Sequence, residues 1–304
     1  MLSEGKLVLT TETSSHRAAK ATMAFRDQEA AQPGCSPQPV PEAPLITLVL
    51  PYYNEAGWIG TTLQSLSRQS DRRFRLVLID NASTDTGCAE ATAACAQMTD
   101  IDVRHVHAEQ PGKISALLTG TAGIDTPFVA TIDADTIYPK DYKDYVARIL
   151  RLFAANPKAS AVMAIDLVAP MDSRQSRKRV RRIMRKARLF PCKCHAGGYA
   201  QAYRSDALAR AGGFTPAIWP YTLEDHEITA RVFRFGLPVY AADHVCFPSD
   251  RRSDRRSVDW TWGERLLYKL SPACLTVAFF HVFLAWRLRT RRAFSAELRQ
   301  KSWM

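Results

Sequence analysis

The stretch Phe128-Val129-Ala130-Thr131-Ile132-Asp133-Ala134-Asp135 decides the fold class of this chain. A short apolar run with β-branched residues stops at two carboxylates one residue apart. Such a run reads as a buried strand of a parallel sheet. Ligands of open α/β sheets bind just beyond the carboxyl ends of the strands. Two Asp there form a hard, oxygen-rich, anionic spot suited to Mg²⁺ or Mn²⁺ carrying a phosphorylated ligand. Taken alone, the pair is equally a polar exit from strand to loop. A second pair, Asp100-Ile101-Asp102, precedes its apolar stretch and so falls at the wrong end of a strand.

Outward from this strand, apolar runs alternate with helical patterns. Strands are expected over residues 45–50, 74–79, 103–106, 128–132 and 161–165. Asn54 is the expected cap of a helix striped by Ile59, Leu63 and Leu66. Helical composition follows residue 85 through Met98, and a further helix is expected over 113–123. Pro139 is read as opening another, with Tyr142, Val146, Ile149 and Phe153 at helical spacing. Two more are expected at 205–211, capped by Ser205 and stopped by Gly212, and at 223–235, capped by Thr222 and stopped by Gly236. The alternation predicts an α/β fold, a Rossmann-like and mostly parallel sheet flanked by helices.

Residues 1–43 are polar and rich in Ala, Thr, Ser and Pro, and read as a flexible N-terminal tail. Residues 44–250 form the expected α/β domain, and 251–304 a basic and apolar helical segment. The chain has 304 residues and a net charge of +11. That charge is clustered: nine of the sixteen residues from Ser173 to Arg188 are Lys or Arg, with no acid among them. Two more basic patches are Arg251, Arg252, Arg255 and Arg256, and Arg287, Arg289, Arg291 and Arg292. Such patches suit nucleic acid, diphosphate ligands or an anionic membrane face. Seven scattered Cys, without a repeated spacing, point to a reducing compartment and free thiols, Cys192-Lys193-Cys194-His195 included. No apolar leader is evident near the N-terminus. The run 273–286 is shorter than the ~20 residues of a spanning helix. It reads either as a helix in a membrane interface or as a core-packing C-terminal helix.

Polar clusters recur at successive strand exits: Tyr52-Tyr53-Asn54-Glu55, Asp80-Asn81, and Asp133 with Asp135. In a parallel sheet these exits converge on one edge. So many carboxylates at one edge call for a neutralising partner, and a metal with a nucleotide supplies one. Lys113 follows Gln110-Pro111-Gly112 and opens a helix, a place where phosphate is readily held. Thr222 and Asp225 fit a capping box, and Asp225 also fits a general base.

Taken in order, these motifs resemble an inverting family 2 glycosyltransferase with the GT-A fold. The resemblance covers residues 45–256. It rests on Val49-Leu50-Pro51-Tyr52-Tyr53-Asn54-Glu55, Leu78-Ile79-Asp80-Asn81-Ala82-Ser83-Thr84-Asp85, Pro111-Gly112-Lys113, Ile132-Asp133-Ala134-Asp135, Gly212-Gly213-Phe214 and Glu224-Asp225. It implies that Pro51, Tyr52, Glu55, Asp80, Lys113 and Asp133 line the donor nucleotide pocket. Asp133 and Asp135 would be the DxD pair that holds the metal-bound diphosphate. Asp225 would be the catalytic base, with Glu224 near the acceptor. Gly197, Gly198 and the segment to Arg204 would border donor sugar and acceptor. Arg252, Arg255 and Arg256 would cover the diphosphate or meet an anionic acceptor.

Two departures stand out. Many relatives carry Ala-Leu-Asn after the Gly-Lys, where this chain has Ala116-Leu117-Leu118. The Gln-x-x-Arg-Trp motif of processive synthases is missing, which predicts transfer of a single sugar. The expected protein is therefore a Mg²⁺- or Mn²⁺-dependent transferase using a nucleotide-sugar donor and a glycan or lipid-linked acceptor. It would sit peripherally at the cytoplasmic face of an anionic membrane. The competing readings are a nucleotidyltransferase, which would need no base at Asp225, and a basic nucleic-acid-binding protein. No aromatic-interleaved RNA motif or zinc finger supports the last.

Overall fold

A computed structural model of the chain describes residues 43–140, 144–217, 219, 223–249 and 260–289. The expected features at Tyr142, Thr222, Arg251, Arg252, Arg255, Arg256, Arg291 and Arg292, and in the tail up to residue 42, lie outside the described residues.

The core begins with β1 (Ile46–Tyr52), whose seven residues are all buried. It is flanked in parallel by β2 (Phe74–Asp80) and β4 (Phe128–Thr131), and β2 by β3 (Asp102–His107). A strand covered on both faces needs a continuous apolar run, and Ile-Thr-Leu-Val-Leu-Pro-Tyr is nearly that. Each buried Leu, Ile or Val contributes about 1.5–3 kcal/mol. Beyond β4 the direction changes. β7 (Gln201–Arg204) runs antiparallel to β4 and to β6 (Ala161–Asp166), and β8 (Pro238–Pro248) lies parallel to β6. The two-residue β5 (Thr136–Ile137) pairs with the far end of β8. The full order is β3-β2-β1-β4-β7-β6-β8-β5.

The helices are α1 (Ile59–Ser67), α2 (Gly87–Cys95), α3 (Lys113–Thr121), α4 (Tyr145–Ala155), α5 (Arg174–Leu189), α6 (Ser205–Arg210), α7 (Glu224–Val232) and α8 (Trp262–Leu270). A last helical stretch joins α9 (Thr276–Ala278), a π-helical turn (Phe279–Leu284) and α10 (Ala285–Arg289).

Several expected caps are corrected. Asn54 does not cap α1, which starts at Ile59 behind Trp58 with no side-chain cap. Asn54 instead adopts a left-handed backbone with φ of 53° and is used elsewhere, as described below. Pro139 does not open α4. Asp144 does, by accepting from Ala147 N at 3.0 Å. Ser205 is the first residue of α6 rather than its cap, and its hydroxyl donates to Thr126 O at 2.7 Å. α7 begins at Glu224 behind a left-handed Leu223, φ 60°. Asp100 and Asp102 do lie at the entrance of β3, paired with Arg72 and Arg75.

The run 273–286 packs inward on one side. Phe279, Phe280, Leu284 and Ala285 are buried. The Phe279 and Phe280 rings join Trp260 and Tyr268, with the Trp260 and Tyr268 centroids 5.3 Å apart at 86°. Two polar ties fix this layer. His281 Nε2 lies 2.6 Å from Glu227 Oε1 on α7. The buried Lys193 donates to Ser271 Oγ and Thr276 Oγ1, both at 2.9 Å, and its ammonium stands 4.2 Å from the Tyr268 ring centre. Burial pushes the Lys193 pKa down, and the two hydroxyls and the ring compensate for lost water.

Candidate active site

Four strand exits and two helix starts meet at the carboxyl edge of the sheet. At the end of β1, Pro51 and Tyr52 are buried. Tyr52 faces Asp80 across the ladder. Burial, then the nearby Cys88 and Asp80, push the Tyr52 pKa up, so its phenol stays protonated.

The loop after β1 is clasped to the loop after β2. Asn54 N donates to Ser83 Oγ at 3.2 Å, and Thr84 N donates to Asn54 Oδ1 at 2.8 Å. Ala56 N donates to Asp85 Oδ2 at 2.9 Å and Gly57 N to Glu90 Oε2 at 2.8 Å. Glu55, between them, accepts the first α1 amides through its carbonyl. Asp80 accepts from Ser83 N at 3.0 Å and stands 3.4 Å from His107 Nδ1. Buried Asn81 shapes the next loop. Its amide donates to Gln110 O at 2.8 Å and its carbonyl accepts from Gly112 N at 2.7 Å. Gly112, at φ 126°, adopts a backbone that side chains rarely allow, and so presents Lys113 at the start of α3.

Lys113 reaches into the centre of the edge. Its ammonium donates to Asp133 Oδ1 at 2.7 Å and stands 3.5 Å from Glu224 Oε1. Burial opposes its charge, but Asp133, Glu224 and Asp225 outweigh that and push its pKa up. The floor beneath it is Gly198. A Cβ there would stand 3.1 Å from Lys113 Nζ, 3.7 Å from Glu224 Oε1 and 3.9 Å from Asp225 Cβ. Asp133 is oriented through its amide, which donates to Tyr138 Oη at 3.0 Å. The Asp135 carboxylate accepts from Ser249 Oγ at 2.6 Å, just past the end of β8.

Asp225, in the first turn of α7, accepts from its neighbour His226 twice. The backbone amide lies 2.8 Å from Oδ1 and the ring Nδ1 2.7 Å from it. His226 is backed by the His195 ring at 3.9 Å and by Trp260 at 5.7 Å between centroids. Burial, and then the neighbouring His226 ring, push the His195 pKa well below the ordinary range, so it stays neutral. The start of α7 is tied to β7 by buried Gln201, whose amide donates to Ala196 O at 2.6 Å and Asp225 O at 3.3 Å.

The edge thus brings together Pro51, Tyr52, Glu55, Asp80, Lys113, Asp133, Asp135, Gly198, Glu224 and Asp225. Arg204 is a correction. It pairs with Phe128, at the opposite end of β4, and its guanidinium lies over the Phe128 and Phe153 rings. β7 runs antiparallel, so the chain leaves the site as it proceeds from Gln201 to Arg204. Gly212 and Gly213, at φ 86° and 64°, close α6, and a Cβ at Gly212 would stand 3.6 Å from Arg231 Nη1. Leu118, where relatives carry Asn, is exposed on α3. Sequence reasoning missed the supports Tyr138, Gln201, His226 and Ser249, and placed Asn81 at a strand exit without its loop-shaping role. Of the missed four only His226 carried a signal, as the neighbour of the expected base.

Asp133 and Asp135 offer oxygen donors, the chemistry that Mg²⁺ and Mn²⁺ take. Among the described residues no three His, Cys, Asp or Glu side chains form a metal-binding group. A metal that arrives with phosphates needs only one or two carboxylates, so the pair fits such an ion.

The profile described as "Glycosyl transferase family 2" matches residues 47–211, more than half of the chain. The chain belongs to glycosyl transferase family 2. Among curated proteins, a glycosyltransferase of Rickettsia felis, described as uncharacterized, is 27% identical over 96 residues, 32% of this chain. The match spans only 15% of that relative's length. Among solved structures, the mannosyltransferase PcManGT of Pyrobaculum calidifontis, in complex with GDP-Man and Mn²⁺, superposes with a TM-score of 0.59 at 20% identity. That match covers 96% of this chain and 86% of the other. Glucosyl-3-phosphoglycerate synthase of Mycobacterium tuberculosis, in complex with Mn²⁺, UDP and phosphoglyceric acid, gives 0.50 at 19% identity, covering 73% and 78%. These likenesses show the fold, and this family 2 chain has the GT-A architecture.

Proposed function

We propose that this family 2 chain moves one sugar from a nucleotide-diphosphate donor to a hydroxyl of a glycan or lipid-linked acceptor, with inversion and without processive extension. The observation that carries the reading is the Asp225 carboxylate. It is held by His226 within the acid group that Lys113 gathers, on the edge that also carries Tyr52, Asp80 and Asp133. A base, a phosphate-binding cation and a nucleotide pocket are the three parts such a transfer requires.

In this reading Pro51, Tyr52, Glu55 and Asp80 receive the nucleoside, and Lys113 and Asp133 the diphosphate end. Asp225 accepts the proton of the acceptor hydroxyl as its oxygen attacks the anomeric carbon. The new carbon–oxygen bond forms as the bond to the diphosphate breaks on the opposite side, and the proton stays on Asp225. Mg²⁺ or Mn²⁺, held by Asp133 and Asp135, would neutralise charge on the departing diphosphate. Glu224 borders the acceptor, and Gly198 leaves room where a side chain would crowd the Lys113 ammonium. Arg252, Arg255 and Arg256 remain proposed contacts to diphosphate or acceptor. A nucleotidyltransferase would have no use for the Asp225–His226 pair, and nucleic acid is not the proposed partner.

The test is a nucleotide-sugar screen with Mg²⁺ or Mn²⁺, reading nucleoside diphosphate release and thermal stabilisation. Asp225→Asn is expected to lower turnover by about 10³-fold or more while donor stabilisation persists. Asp135→Ala is expected to remove the metal-dependent part of donor binding. Full activity in the first variant, or unchanged metal dependence in the second, would overturn the assigned roles.

A further inference from the structure

α5 and the C-terminal helices meet at one corner, whose outer surface has no part in the proposed transfer. α5 packs the partly buried Val180, Ile183 and Met184 against Ile165, Leu167 and Val245. Its other faces carry eight exposed cationic side chains between Arg174 and Arg188. The helix runs out into Leu189 and Phe190, 61% and 58% exposed. Three residues later Lys193 grips Ser271 and Thr276, so this end of α5 adjoins the junction of α8 with the last helix. The residues beside those two hydroxyls are again exposed and apolar, Leu270 at 74% and Leu275 at 51%.

From that junction exposed apolar residues continue along both helices. On α8 they are Trp262, Leu266 and Leu270, at positions i, i+4 and i+8, one face of a helix. On the last helix they are Leu275, Val282 and Trp286, again on one side, while Phe280 and Leu284 face inward. Single exposed apolar residues are ordinary, whereas a run of them at helical spacing, beside concentrated charge, marks a surface that meets something.

We propose that this corner docks on an anionic lipid surface, its apolar stripes entering the interface and α5 lying on the headgroups. Charge and apolar area select this occupant together. Anionic headgroups match the acid-free α5, and the acyl boundary accepts Leu, Val and Trp. Nucleic acid would use the cations but gain little from the leucines. A second copy of the chain would bring two acid-free basic helices together, which like charge opposes. No helix among the described residues is long and apolar enough to cross a membrane, so the contact lies along the surface. Trp260, beside the His226 ring, is two residues from the exposed Trp262. Docking therefore carries Asp225 toward the lipid, which favours a lipid-linked acceptor. That last step rests on the transferase reading, whereas the docking itself does not.

The test uses the full chain and sedimentation with vesicles of phosphatidylcholine, alone or mixed with phosphatidylglycerol. Binding is expected to the mixed vesicles and to be much weaker without the anionic lipid. Arg181→Gln with Arg185→Gln is expected to lower the partition by roughly fivefold per charge. Leu270→Ser with Leu275→Ser is expected to lower it by about tenfold or more. Both double variants should keep the parent melting temperature, which separates lost docking from lost folding. Absence of sedimentation with either vesicle, or unchanged partition in both variants, would overturn the proposal. So would a dimer dissolved by the leucine changes, or duplex DNA bound more tightly than the mixed vesicles. Because the readout is sedimentation, its failure is distinct from failure of the transferase.

Discussion

At Lys113 one ammonium faces the carboxylates of Asp133, Glu224 and Asp225, drawn from β4 and α7. Without it three acids would share one edge. Like charges favour protonation, and a protonated Asp225 cannot serve as a base. Lys113→Met is therefore expected to move the acid limb of the pH profile of kcat/KM to higher pH. It should also weaken donor binding. Lys113→Arg should restore part of the binding, since it returns the charge with a different shape. An unmoved acid limb in the methionine variant would show that the ammonium does not govern the base. The acids of this group were legible in the sequence, because each ends a strand or begins a helix. His226 was legible only as a neighbour of Asp225. Gln201 and Ser249 were not, because the site residues they hold lie elsewhere along the chain, Asp225 being 24 residues from Gln201 and Asp135 114 from Ser249.

Between elements, the loops after β1 and β2 behave as one unit through Asn54, Ala56 and Gly57. Their joint position sets where Tyr52, Glu55 and Asp80 stand. Asn54→Ala removes the Thr84 contact and places a residue with no local side-chain bond in the left-handed region, at a cost of about 1 kcal/mol of strain beyond the lost bond. Asn54→Gly removes only the side-chain bond. The expected result is a raised donor KM in both variants with kcat little changed, and a lower melting temperature in the alanine variant than in the glycine variant. Equal KM values in parent and variants would show that the clasp does not position the nucleotide pocket. The strands of this unit were readable from apolar runs, which depend on burial alone. The role of Asn54 was not, since a cap and a cross-loop bond ask for the same residue. The start of α4 was misplaced for a related reason. Pro139 suits a first helical turn, but the acceptor that closes that turn is Asp144.

For the whole molecule, the buried His244 bears on acid stability. It packs on Tyr145 at 4.8 Å between ring centres. Burial, reinforced by Arg148 on the adjacent helix and opposed by Asp243, pushes its pKa down to about 3. The folded state therefore binds fewer protons than the unfolded chain between about pH 3 and the ordinary histidine value near 6.5. Stability from this group is complete above that range and is lost as pH falls through it. His195 acts in the same direction. The melting temperature is expected to drop steeply below pH 6.5, and His244→Gln to flatten that drop. An identical slope in the variant would assign the acid sensitivity to other groups. The mostly parallel sheet followed from the alternation of the sequence, but the turn of direction at β7 did not. A four-residue strand is too short to declare its neighbours. That antiparallel strand has a consequence for assembly. The elements that frame the proposed nucleotide pocket, β1 to β4 with their exits, are complete within residues 46–133. The proposed base, Asp225, joins them only after β7 has paired back onto β4 and α7 has followed it. A chain made from its N-terminus can thus build its donor half first, and the slower, longer-range closure that adds Asp225 comes last.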